Sequence, residues 1–168
     1  KKPELSGEWR ISGHQLSKGD FSGTMRATPD GPDTYAVVFE GAYARTRDAL
    51  HALTRAGAPD AHLGHLMRYV NPADGGWAMP TMATMIRLLP RGLATQPYRS
   101  SDSAVFVCVE GRGELRVADQ HFAFTPHDIV VVPGWMAYTI SADDDLTLFS
   151  YSDRVAQEKL GFWREQRQ

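Results

Sequence analysis

The chain has 168 residues, of which 42% are hydrophobic and 23% charged, and a formal net charge of −2; that suffices for one core of ordinary size but not comfortably for two domains. The values lack the low hydrophobicity of a disordered chain and the basic excess of a nucleic-acid binder, so nucleic acid is not an expected partner. No apolar run approaches the roughly 18 residues of a membrane helix, and Lys1-Lys2-Pro3-Glu4-Leu5 lacks the apolar core of a signal peptide, so the expectation is a cytoplasmic protein with no membrane partner.

Residues 1–33 are polar, with scattered Gly, Ser and Pro and no sustained period of 2 or 3.6; they predict an extended arm or a connecting segment, and residues 1–40 as a whole an N-terminal arm or inter-domain linker. Within them Tyr35-Ala-Val-Val-Phe39 is a short strand candidate. From Thr46 the apolar positions Ala49, Leu50, Leu53 and Ala56 share one helical face, and Gly57 followed by Pro59 supplies a helix stop. Asn71-Pro-Ala-Asp-Gly-Gly76 is a turn cluster, so residues 41–78 read as a linker helix and turn region.

From Met79 the texture changes to short β runs: Ala83 to Leu89, Ala104 to Val109, Glu114 to Val117, His121 to Phe124, Ile129 to Val132, Ala137 to Ile140 and Leu146 to Tyr151. Turn-prone clusters such as Pro90-Arg-Gly92, Glu110-Gly-Arg-Gly113 and Asp143-Asp-Asp145 separate them. Strands so punctuated over residues 79–153 predict an antiparallel sandwich or small barrel. The single Cys108 lies in one such run, Ala-Val-Phe-Val-Cys-Val, which predicts a buried, reduced thiol and no internal disulfide. Residues 154–168 read as a C-terminal helix interrupted at Gly161, packing Leu160, Phe162 and Trp163 on the barrel or on a neighbour.

The β region fits the two motif frames of the cupin family. The first, G-x5-H-x-H-x3-E-x6-G, finds its glycines at Gly92 and Gly111; the second, G-x5-P-x-G-x2-H-x3-N, finds its proline at Pro133. More specifically, Arg68-Tyr-Val-Asn-Pro72, Met79-Pro-Thr-Met82, Val109-Glu-Gly-Arg-Gly113, His127-Asp128, Val132-Pro-Gly-Trp135 and Phe149-Ser-Tyr-Ser-Asp153 resemble the bicupin gentisate, salicylate and 1-hydroxy-2-naphthoate dioxygenases. The resemblance runs from about Phe39 to Glu165, in the order of the second half of such enzymes. It implies an all-β cupin fold, a jelly-roll double-stranded β-helix barrel with an N-terminal arm, a linker helix and a C-terminal helix. It also implies that Fe(II) is held by histidines of an N-terminal cupin outside this chain, which becomes the expected partner. The chain does not begin with Met, which is compatible with trimming or with a piece of something longer.

The frame places Tyr98 and Ser100 at the paired histidines, Ala104 at the glutamate and Tyr138 at the last histidine. A non-heme Fe(II) site needs about three imidazole or carboxylate ligands; a methyl group cannot coordinate, and a hydroxyl or protonated phenol does so weakly. The expectation is therefore vestigial ligand positions, with no metal or other cofactor and no catalytic residue in this chain. Tyr98, Ser100 and Tyr138 face the predicted barrel interior and remain candidate ligand-binding residues, with Arg99 and Arg112, and with Arg116, as possible carboxylate partners. Strand alternation turns Arg99 away from its neighbours. His62 and His65 would share a helical face but lack a third ligand, and His121 and His127 flank a turn that His127 is expected to stabilise. Trp77, Trp135 and Trp163 read as core or interface aromatics.

Three functions compete. The first is a structural half of an iron-dependent ring-cleaving dioxygenase of hydroxylated aromatic carboxylates, inactive alone and assembling into a dimer or higher homo-oligomer. The second is a stand-alone, non-catalytic cupin that binds a small aromatic or sugar acid. The third is a small cupin enzyme with its own unconventional metal ligands.

Overall fold

The structure, a computed structural model, describes residues 7–15, 19–29, 35–40, 42–71 and 74–167, with side chains described from residue 43 onward. The chain divides into two compact units, Lys1–His51 and Ala52–Gln168.

In the first unit, β1 (Gly7–Gln15), β2 (Gly19–Pro29) and β3 (Tyr35–Glu40) form an antiparallel sheet in the order β1-β2-β3. The extended arm expected here is thus a sheet. Its register pairs Trp9 with Met25, Ile11 with Gly23 and Gly13 with Phe21, alternating with the polar pairs of Glu8 with Arg26, Arg10 with Thr24, Ser12 with Ser22 and His14 with Asp20. That alternation is a period of 2, diluted by Gly13 and Gly23, and it becomes a sheet once main-chain hydrogen bonds join the strands. Helix α1 (Ala42–Ala56) begins before the Thr46 start that apolar spacing suggested and ends where Gly57 follows, with Arg55 in its last turn, where a cation complements the helix dipole. Of its predicted apolar face, Leu50 is buried and Leu53 half-buried, while Ala49 and Ala56 are exposed.

The second unit consists of β4 (His65–Arg68), β5 (Ala83–Leu89), β6 (Tyr98–Ser100), β7 (Ala104–Glu110), β8 (Gly113–Val117), β9 (Gln120–Phe124), β10 (Ile129–Val132), β11 (Tyr138–Ala142), β12 (Leu146–Ser152), α2 (Arg154–Lys159) and β13 (Glu165–Arg167). The strands build two five-stranded antiparallel sheets, ordered β10-β7-β12-β5-β4 and β13-β6-β11-β8-β9. Alternate residues of each strand point to one face. Phe106, Cys108 and Leu148 of the first sheet therefore meet Leu115, Val117, Tyr138 and Ile140 of the second in one core. Fully burying a side chain of this size contributes about 1.5–3 kcal/mol. This is the all-β jelly-roll architecture the motif frames predicted, with Cys108 buried and free within it.

The C-terminal segment differs from the expected helix. Helix α2 has 6 residues, Gly161 turns the chain at φ +75°, and β13 then pairs with β6, Glu165 opposite Ser100 and Arg167 opposite Tyr98. A residue in the left-handed region cannot continue a helix, and Gly takes that region without steric cost. Trp163 is half-buried, but Leu160 and Phe162 are 65% and 67% exposed rather than packed. Among the described residues, no helix is long and apolar enough to cross a membrane.

Candidate functional site

The four frame positions converge. Tyr98 and Ser100 on β6, Ala104 on β7 and Tyr138 on β11 all line one cavity of about 40 Å³ between the sheets. All four motif-glycine positions, two of them lacking glycine, have left-handed backbone: Gly92 (φ +81°), Gly111 (φ +84°), His127 (φ +79°) and Trp135 (φ +64°). A non-glycine residue rarely adopts this region, so the turns of the second motif keep their shape although His127 and Trp135 stand where the frame has glycine. His127 secures its turn through its backbone, the N–H donating to the Cys108 carbonyl at 2.9 Å.

The cavity's chemistry is aromatic, hydroxylic and cationic. The Tyr98 and Tyr138 rings meet edge to face at 5.7 Å, and Phe106 meets Tyr138 likewise at 5.4 Å, geometries favoured by the ring quadrupoles. The Tyr98 hydroxyl donates to Glu165 Oε2 at 2.9 Å; burial and that carboxylate hold its pKa well above the ordinary phenol value. Burial likewise raises the pKa of Tyr138, against the opposing pull of the Arg87 guanidinium. Both phenols therefore stay protonated at neutral pH and make poor ligands for a cation. Among the described residues, no three His, Cys, Asp or Glu side chains converge on a point that could hold a metal. Arg87 on β5 is 4% exposed, with its Cζ 5.0 Å from the Phe106 ring centroid, and a buried guanidinium repels a divalent cation. The residues in this cavity do not fit Fe(II).

The arginines named from sequence lie elsewhere. Arg99 stacks on Trp135, Cζ to centroid 4.7 Å, and its Nε donates to Gln166 Oε1 at 2.8 Å. Exposed Arg112 pairs with Asp144 at 2.8 Å, and Arg116, also exposed, faces away from the core. His62 and His65 do not share a helix: His65 is buried on β4, and His62 Nδ1 lies 3.2 Å from the Pro97 carbonyl. His121 contacts Glu114 at 2.9 Å. Sequence reasoning missed Arg87, Asp102 and Arg154, which complete the cavity wall. The available signal was a lone charge in the apolar run Ala-Thr-Met-Ile-Arg-Leu-Leu, in inward phase with Ala83 and Met85.

Comparison with known proteins falls into two parts. The family model for quinohemoprotein amine dehydrogenase, alpha subunit domain II, matches residues 2–57. Over a larger share of the chain, it is 48% identical to gentisate 1,2-dioxygenase 1 of Aquipseudomonas alcaligenes, across 130 residues that make up 77% of this chain and 38% of that protein. It is 32% identical to 5-aminosalicylate 1,2-dioxygenase of Comamonas sp., covering 70% of this chain and 32% of that one. Salicylate 1,2-dioxygenase of Pseudoaminobacter salicylatoxidans, solved as adducts with gentisate, superposes with a TM-score of 0.71 and 29% identity, covering 75% of this chain and 36% of that chain. The chain thus spans about a third of the length of these relatives. By the order of its motifs, its jelly-roll and these likenesses, the chain belongs to the gentisate, salicylate and 1-hydroxy-2-naphthoate dioxygenase family.

Proposed function

We propose that this chain is the C-terminal, metal-free cupin half of a ring-cleaving dioxygenase of hydroxylated aromatic carboxylates, serving structure and assembly while an N-terminal cupin carries the Fe(II) and the chemistry. The observation that supports this most is the cavity itself: Tyr98, Ser100, Ala104 and Tyr138 stand together at the ligand positions, beside the buried cation Arg87. A site built that way disfavours a divalent metal on charge as well as on ligand type. The relatives' greater length supports a missing catalytic portion. In this reading the exposed Leu160 and Phe162 are covered by the remainder of the longer protein, since apolar surface of this kind favours burial. The cavity's small volume weighs against the second reading, a cupin that takes up an aromatic or sugar acid in its barrel.

The test is iron stoichiometry and oxygen uptake after anaerobic reconstitution with Fe(II). The full natural protein is expected to bind its iron undiminished by Tyr138→Phe, and the 168-residue chain to bind none and to consume no dioxygen with gentisate or salicylate. Close to one iron per 168-residue chain, lost on substituting Tyr138, would overturn the reading.

A further inference from the structure

Arg87 presents a problem in electrostatics that the assembly role does not address. Its side chain is 4% exposed, and it remains charged because a guanidinium cannot be deprotonated in a protein. Its Nε and Nη1 meet no hydrogen-bond acceptor, and no described ion pair includes it. The carboxylate on the cavity wall is engaged elsewhere: Asp102 accepts from Trp163 Nε1 at 2.9 Å. Phe106 covers one face of the guanidinium, and the Tyr138 hydroxyl lies beside it. Buried charges in folded proteins are paired; this one lines the cavity with a hydrogen bond to the Tyr138 hydroxyl, no described ion pair, and two donors that no protein atom accepts.

We propose that the cavity binds a small monoanion of the formate, acetate or bicarbonate class, its oxygens accepting charge-assisted hydrogen bonds from Arg87 Nε and Nη1. Size selects this class. A cavity of about 40 Å³ accommodates roughly three water-sized groups, which suits a carboxylate of three or four heavy atoms and excludes an aromatic ring. The wall supplies further hydroxyls: Ser150 and Ser152 of β12 are buried and line the cavity, and the Tyr138 hydroxyl lies beside Arg87. The anion would supply the missing counter-charge of the barrel, a role independent of where the iron sits; binding of formate tests it, whereas binding of iron tests the reading above.

The experiment follows the thermal midpoint of the full natural protein, depleted of metal, in sodium formate, bicarbonate and gluconate at constant ionic strength. Gluconate carries the same charge but is too large for the cavity. Formate at about ten times its Kd is expected to raise the midpoint by about 2 °C, gluconate not at all, and Arg87→Met to abolish the response. Bromide-soaked crystals of the unmutated protein are expected to show an anomalous peak within hydrogen-bond reach of Arg87 Nε or Nη1, which keeps the test open should the variant not fold. Equal responses to formate and gluconate, an unaltered response in Arg87→Met, or water alone beside Arg87 in the bromide crystals would each overturn the proposal.

Discussion

Two tryptophans make the same hydrogen bond in different surroundings, and the difference in their worth can be calculated. Trp163 Nε1 donates to Asp102 at 2.9 Å, and Trp77 Nε1 donates to Glu158 at 2.9 Å. Each ring also carries Arg154, at 3.8 Å for Trp163 and 5.6 Å for Trp77. The acceptors differ: Asp102 is 8% exposed, whereas the Glu158 side chain is 32% exposed and already paired with Arg154. Replacing either Trp by Phe keeps an aromatic ring and deletes the donor. At position 163 a buried carboxylate oxygen loses its partner, at a cost of about 1.5–3 kcal/mol, or about 3–12 °C in the midpoint for a domain of this size. At position 77 water and Arg154 compensate, and the loss is about 0–1 kcal/mol. Urea unfolding of both variants, followed by tryptophan-independent far-UV circular dichroism, measures the difference; the smaller ring lowers both values and cancels to first order. Losses equal within about 0.3 kcal/mol, or a larger loss for Trp77→Phe, would refute the claim that burial of Asp102 sets the strength of this tether.

The motif glycines should separate strain from collision. Gly111→Ala places a Cβ 2.2 Å from the Asp145 carbonyl oxygen at φ +84°, whereas Gly92→Ala at φ +81° meets nothing within 4 Å. The second variant is expected to lose about 1–2 kcal/mol and the first clearly more, with comparable urea midpoints counting against the backbone contact. Burial and the Asp128 carboxylate push the Cys108 thiol from its ordinary 9.0 up to about 11. Because the folded pKa is the higher one, its contribution to stability is fully present below about pH 9 and is lost as pH rises through about 11. Iodoacetamide at pH 8 should accordingly label the native thiol at least tenfold more slowly than the unfolded one, and equal rates would contradict the burial. Finally, Phe162→Glu in the full natural protein should cost about 1 kcal/mol or more if the remainder of the longer chain covers that 67% exposed ring; a change within about 0.5 kcal/mol, usual for a free surface site, would count against that contact.

Much of this protein was legible as sequence because its information is local. Turn clusters and β-rich runs between Met79 and Asp153 marked the strands of a jelly-roll, and the frame spacing brought Tyr98, Ser100, Ala104 and Tyr138 to one cavity. Strand alternation also turned Arg99 outward, where it stacks on Trp135. What depended on pairing between distant segments was not legible. In the first forty residues the alternation of Trp9 and Ile11 with polar neighbours is diluted by glycines, and the cross-strand register is what makes these segments a sheet; β13 likewise exists because residues 165–167 find β6. The left-handed backbone at His127 and Trp135 is imposed by the surrounding turns against residue preference. Arg87 is the clearest case: the sequence supplies a charge in an apolar strand, but only the packing of Phe106 and Tyr138 around it, while Asp102 turns to Trp163, decides that the charge is buried with two donors unmatched.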